Sequence, residues 1–149
     1  MKKVVLILTL AAALAMAAPA SAAEQTLALF TGVTDDRGDK AFTLGLDYEY
    51  RVSEIFGVGG FVDLAGGGVR SFVVAAPVYL HPFSGLLLVA APGIEHQDDG
   101  SNEFLFRLGV GWEFELSERF VLTPIVNVDF VDGEEIWVYG VALEYNLAK

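Results

Sequence analysis

The 149 residues contain two histidines and no cysteine, so places where a nucleophile, a base or a metal ligand could act are few. His96 has Glu95 beside it and Ser101 across a turn, the grouping of base, acid and hydroxyl that a hydrolase would use. His81 precedes Pro82 in His81-Pro82-Phe83-Ser84-Gly85, a turn sequence. Asp98-Asp99-Gly100-Ser101-Asn102-Glu103 offers hard oxygen ligands, but not at calcium-loop spacing. There is no phosphate-binding loop, no dinucleotide fingerprint and no paired-histidine metal spacing. The expectation is therefore no catalytic residue, no cofactor and no metal site. Lys and Arg number 9 against 20 Asp and Glu, a net charge of −11, which argues against a nucleic-acid binder. At 54% hydrophobic residues and a mean hydropathy of +0.49, the chain is too apolar for a disordered acidic segment.

The elements that would position these residues follow from patterning. Lys2 and Lys3 precede the apolar run Val4 to Met16, and Pro19-Ala20-Ser21-Ala22 comes after it. This reads as a Sec-type secretory signal peptide cut after Ala22 or Ala23, leaving 1–22 as signal and 23–149 as one domain. Its loss removes two lysines and no acid, so 7 basic and 20 acidic residues remain, a net of −13. From Ser71 to Ile94 no charged residue occurs, the length of a membrane-spanning helix. Pro77, Pro82 and Pro92 exclude that helix and divide the stretch into two strands. Elsewhere apolar and polar residues alternate with period two. Phe104, Phe106, Leu108, Val110, Trp112, Phe114 and Leu116 interleave with Arg107, Gly109, Gly111, Glu113 and Glu115. Similar runs start at Phe42 and Trp137. Breakers delimit eight strands, 26–34, 41–52, 56–65, 71–81, 86–96, 103–116, 120–131 and 135–147. Acidic or Gly-rich connections alternate with short turns, the layout of an all-β, antiparallel up-and-down barrel. Pro77, Pro92 and Pro124 fall inside strands, where bulges or frayed ends are expected.

Which face is wet decides the solvent. Eight strands with about five large apolar residues each exceed what an eight-stranded interior can hold. The opposite face carries Gly45, Gly57, Gly59, Ala75, Gly109, Gly111, Gly140 and Ala142, which suit a narrow lumen. Aromatic residues gather towards strand ends, Tyr48, Tyr50, Phe56, Trp112, Phe114, Phe120 and Tyr145 at one rim and Phe42, Phe72, Phe104, Phe130 and Trp137 at the other. Two such girdles fit the two interfaces of a bilayer. With these features the chain resembles the OmpA/OmpX-like group of small eight-stranded transmembrane β-barrel proteins of Gram-negative outer membranes. Its last strand, Gly140 to Leu147, is similar to the C-terminal assembly signal of that group, but ends in Leu147-Ala148-Lys149 without the terminal aromatic.

The resemblance implies a location in the cell outer membrane and contact with its lipids and lipopolysaccharide. It also implies recognition by the outer-membrane assembly machinery through the C-terminal strand, and a monomer. It would put the acidic loops outside the cell: Asp35, Asp36 and Asp39; Asp98 and Asp99; Asp132, Glu134 and Glu135. Their plain role is a solvated rim; the sharper one is binding divalent cations shared with lipopolysaccharide. On the lumen face Arg107 stands at mid-strand, with Asp47, Glu49, Asp63, Glu113 and Glu144 available to neutralise it. The expected function is structural or surface-interacting, with a lumen filled by polar side chains. A small porin-like passive pore is the alternative. A lipid-modifying hydrolase is the second, for which His81 lies at the wrong rim and His96 lacks a family signature.

Overall fold

The computed structural model describes residues 24–67 and 70–147; the expected signal segment 1–22 lies outside them. Ten runs of strand follow one another: β1 (Gln25–Asp36), β2 (Asp39–Arg51), β3 (Phe56–Ala65), β4 (Ser71–Ala75), β5 (Val78–Leu80), β6 (Leu86–Gln97), β7 (Asn102–Trp112), β8 (Phe114–Glu115), β9 (Phe120–Val131) and β10 (Glu134–Asn146). β4 and β5 are halves of one stave interrupted at Ala76-Pro77, and β7 and β8 are halves of another interrupted at Glu113. The eight staves pair antiparallel with their neighbours in sequence, and β10 pairs with β1 to close the barrel. Closure leaves no sheet edge, which a lipid-embedded backbone requires.

The stagger of the barrel follows from register. Stepping across partners from Gln25 leads through Tyr50, Val58, Val78, Ala90, Leu108, Val128 and Trp137, and returns to the first strand at Asp35. That offset obliges the staves to tilt, by about 35–45° in barrels of this size.

The prolines behave differently from expectation. Pro92 and Pro124 sit in unbroken strands, facing outward and opposite Phe106 and Val141. Only Pro77 coincides with a break, and register is kept across it: Phe61 faces Ala75 on one side, and Val58 faces Val78 on the other. No residue is bulged out. The carbonyls of Pro77 and Pro92 still accept a ladder bond, from Gly59 at 3.1 Å and from Ala76 at 2.9 Å respectively. Only the bond that the proline nitrogen would donate is forfeited.

The two rims also differ less than expected. Connections 37–38, 66–70, 98–101 and 132–133 form one rim, and 52–55, 81–85 and 116–119 form the other, the terminal rim, where β1 starts and β10 ends. Both sets are short. Arg37-Gly38 (φ 53° and 98°) and Asp132-Gly133 (φ 49° and 75°) are two-residue hairpins with both residues left-handed. That geometry matches strand twist and favours Asp-Gly.

Candidate functional site in the lumen and at the rims

Burial is inverted relative to a water-soluble barrel. Leu44, Leu46, Phe42, Phe104, Val110, Trp112, Trp137 and Leu143 are exposed, Phe104 at 68% and Phe42 at 64%. Glu49, Asp63, Glu95, Arg107, Asp129 and Glu144 are buried. The expected aromatic girdles are present at both rims, except that Tyr50 is buried.

From the acidic rim inward, the lumen begins with an apolar plug. Val73, Ala91, Leu105, Val131 and Ile136 pack together with Phe61 and Ala75, Leu105 and Ala91 being wholly buried. Beneath it lies Arg107. Its Nε and Nη2 donate to the two oxygens of Asp129 at 2.6 and 2.7 Å, and Nη1 donates to Asp63 at 2.7 Å. The guanidinium also lies over the Phe61 ring, 4.5 Å from its centre. A fork on one carboxylate, a single bond to another and a π face satisfy this buried arginine. Gly45 makes this possible, since a Cβ there would stand 2.2 Å from Asp63 Oδ1. Gly109 gives way to Asn127 in the same manner.

The sequence reading offered five acids to Arg107, and the structure brings one of them, Asp63, into contact. Asp129, directly opposite Arg107 in the ladder, is not among the five, although a parity opposite to that of outward Phe130 places it inside. The other four lie nearer the terminal rim. Asp47 accepts from the Tyr79 hydroxyl, and Glu144 from Thr123. Glu49 and Glu113 bracket the His81 ring, with His81 Nε2 at 2.9 Å from Glu49 and Nδ1 at 3.2 Å from Glu113. Arg51 joins them, 3.4 Å from Glu24 and 3.5 Å from Glu49. His81 thus belongs to a charge cluster at the barrel mouth, beyond the end of β5. Burial opposes its protonation, but the hydrogen bonds its ring N–H groups donate to Glu113 and Glu49 outweigh burial and raise its pKa to about 9.

This half contains cavities. One of about 60 Å³ is lined by Asp47, Asp63, Tyr79, Arg107, Asn127 and Glu144 among others. A mouth vestibule of about 400 Å³ is lined by Glu24, Arg51, Glu54, His81, Glu113 and Glu115 among others, and shares Thr26 and Glu144 with the first.

At the opposite rim Asp35, Asp36, Asp39, Glu134 and Glu135 lie in strand ends, and Asp98, Asp99 and Asp132 in turns. Arg37 ties the first and last hairpins together through Asp36 at 3.3 Å and Glu134 at 2.6 Å. Lys40 meets Asp35, and Arg70 meets Asp98. The Ser101 hydroxyl and N–H both bond Asp99, holding its carboxyl below the usual range. The components of the hydrolase reading are dispersed: His96 is exposed and bonded to Asn102, Glu95 is buried in the lumen, and Ser101 is turned to Asp99. Among the described residues no three His, Asp or Glu side chains are grouped to hold a metal ion.

No protein-family model and no curated protein matches the sequence. Solved structures do match the fold. The N-terminal β-barrel domain of Pseudomonas aeruginosa OprF is 12% identical with a TM-score of 0.60, covering 85% of this chain and 100% of that one. Yersinia pestis Ail in a phospholipid bilayer nanodisc is 13% identical with a TM-score of 0.58, over 85% and 100%. A de novo designed transmembrane β-barrel is 15% identical with a TM-score of 0.56, over 82% and 95%. The chain has the fold of the small outer-membrane barrels.

Proposed function

We propose that this protein resides in the outer membrane of a Gram-negative cell envelope and acts there as a structural and surface-interacting barrel with a filled lumen. The observation that carries the reading is the inverted burial. A belt of exposed leucines, valines and aromatics around a charged interior is favourable in lipid and costly in water. Its partners are membrane lipids and lipopolysaccharide around the belt, and the assembly machinery at β10. The barrel works as a monomer. The acidic rim would meet lipopolysaccharide through shared divalent cations, since both surfaces are negative. Ail has been seen with the heparin analogue sucrose octasulfate; the carboxylate-rich rim here favours cationic partners over such a polyanion.

Membrane fractionation with gel electrophoresis of heated and unheated samples tests this reading. Recovery in the outer membrane, with migration that changes on heating, is expected, and recovery in the soluble fraction would overturn it. The pore alternative needs Arg107, Asp63 and Asp129 to part and the apolar plug to open. Arg107→Ala should leave planar-bilayer conductance at background if the lumen is filled, whereas increased single-channel conductance would favour the pore. The hydrolase alternative has no assembled triad among the described residues to support it, and lipid A masses are expected to stay unchanged on overexpression.

A further inference from the structure

We propose that the half of the lumen nearer the start of β1 and the end of β10 is a blind well that takes the ammonium group of a small amine, entered through the vestibule. Asp47 and Glu144 face the 60 Å³ cavity, and neither is paired with a cationic side chain among the described residues. Their donors are hydroxyls, Tyr79 and Thr123. The neighbouring cations are committed elsewhere, Arg107 to Asp63 and Asp129, His81 to Glu49 and Glu113, and Arg51 to Glu24 and Glu49. Carboxylates enclosed in a barrel without a counter-charge are costly, so a guest cation has a large return there.

A second observation is independent of the acids. Asn127, 4% exposed, is part of the same cavity wall, and its Oδ1 has no hydrogen-bond partner. The donors of this wall, Arg107, Tyr79 and Thr123, are already committed while acceptors are to spare, and an ammonium group supplies three further N–H bonds. At roughly 10–15 Å³ of such space per water, the cavity holds a guest of a few heavy atoms. A directly ligated metal ion is the poorer match, because no three His, Asp or Glu side chains are grouped for it among the described residues. Thr26 and Glu144 border both the cavity and the vestibule, which marks the way in. Arg107 and the apolar plug close the far side, so a cation entering from the vestibule binds and does not cross.

The test is an amide NMR titration of the ¹⁵N-labelled protein, purified from membranes in detergent, with methylammonium chloride and with potassium chloride at matched ionic strength. Saturable shifts at Thr26, Glu144 and the Asn127 side chain are expected with methylammonium and not with potassium. Glu144→Gln and Asp47→Asn should each weaken binding by about tenfold or more while keeping heat-modifiable migration. Should either fail to fold, Asn127→Leu carries the same expectation through the unpartnered amide. Identical responses to both salts, shifts confined to Glu54 and Glu115 at the open mouth, or unchanged affinity in the folded variants would overturn the proposal.

Discussion

At the scale of single residues, the interior is held by charges that have nowhere else to go. Arg107→Met leaves Asp63 and Asp129 facing each other without a cation, and should lower unfolding stability in lipid vesicles by about 3–5 kcal/mol in urea titrations. A loss below about 1 kcal/mol would show that water reaches the site. His81 gives a pH dependence whose sign is fixed. Its folded pKa of about 9 lies above the ordinary value of 6.5. Stabilisation from the Glu49 and Glu113 contacts is thus complete below about pH 6.5 and is lost as pH rises through 9. The urea midpoint should fall across that window in the unaltered protein, and His81→Gln should abolish the slope. Much of this site is legible in the sequence, because strand parity assigns Arg107, Asp63 and Glu49 to the lumen. Height along the barrel was not legible, since tilt and stagger decide which inward residues meet. Arg107 therefore found Asp129, and Glu113 found His81.

At the scale of elements, the strands follow from period-two alternation, and their bounds differ from the sequence reading by at most a few residues. Proline was the misleading signal. A proline in a closed sheet is expected to force a bulge or a frayed end; the stave parts at Ala76-Pro77, yet register is continuous past Pro77, Pro92 and Pro124. The reason is that an antiparallel residue offers both its N–H and its C=O to one neighbour, so proline removes one bond and keeps the other. Pro77 and Pro92 do so at Gly59 and Ala76, which concentrates two missing bonds in the seam between β3, β4–β5 and β6. Pro92 faces outward, so Pro92→Ala restores a donor towards Ala76 with little loss of lumen packing. It should raise stability by about 1 kcal/mol. Slower amide exchange near Ala76 is the accompanying sign; unchanged exchange there would mean that the missing bond is not what weakens the seam. The similar rims have a comparable cause: the acidic segments read as loops, but most of their carboxylates belong to strand ends closed by left-handed hairpins.

At the scale of the whole molecule, solvent determines which face of each strand turns inward. In water the leucines would fill the lumen and the charges would leave it; the observed arrangement is the reverse, and lipid is the solvent that favours it. A charge placed on the belt should therefore be costly. Leu46→Arg is expected to destabilise the bilayer-inserted barrel by about 2–4 kcal/mol if it lies at the midplane, while the same change in a water-exposed strand would be near neutral. The most direct measurement uses the two tryptophans, Trp112 and Trp137, both exposed and set towards opposite rims. In vesicles containing brominated phospholipids, the fluorescence of single-tryptophan variants W112F and W137F should be quenched by the lipid and spared by aqueous iodide. Quenching by iodide with none from the lipid would contradict the membrane barrel.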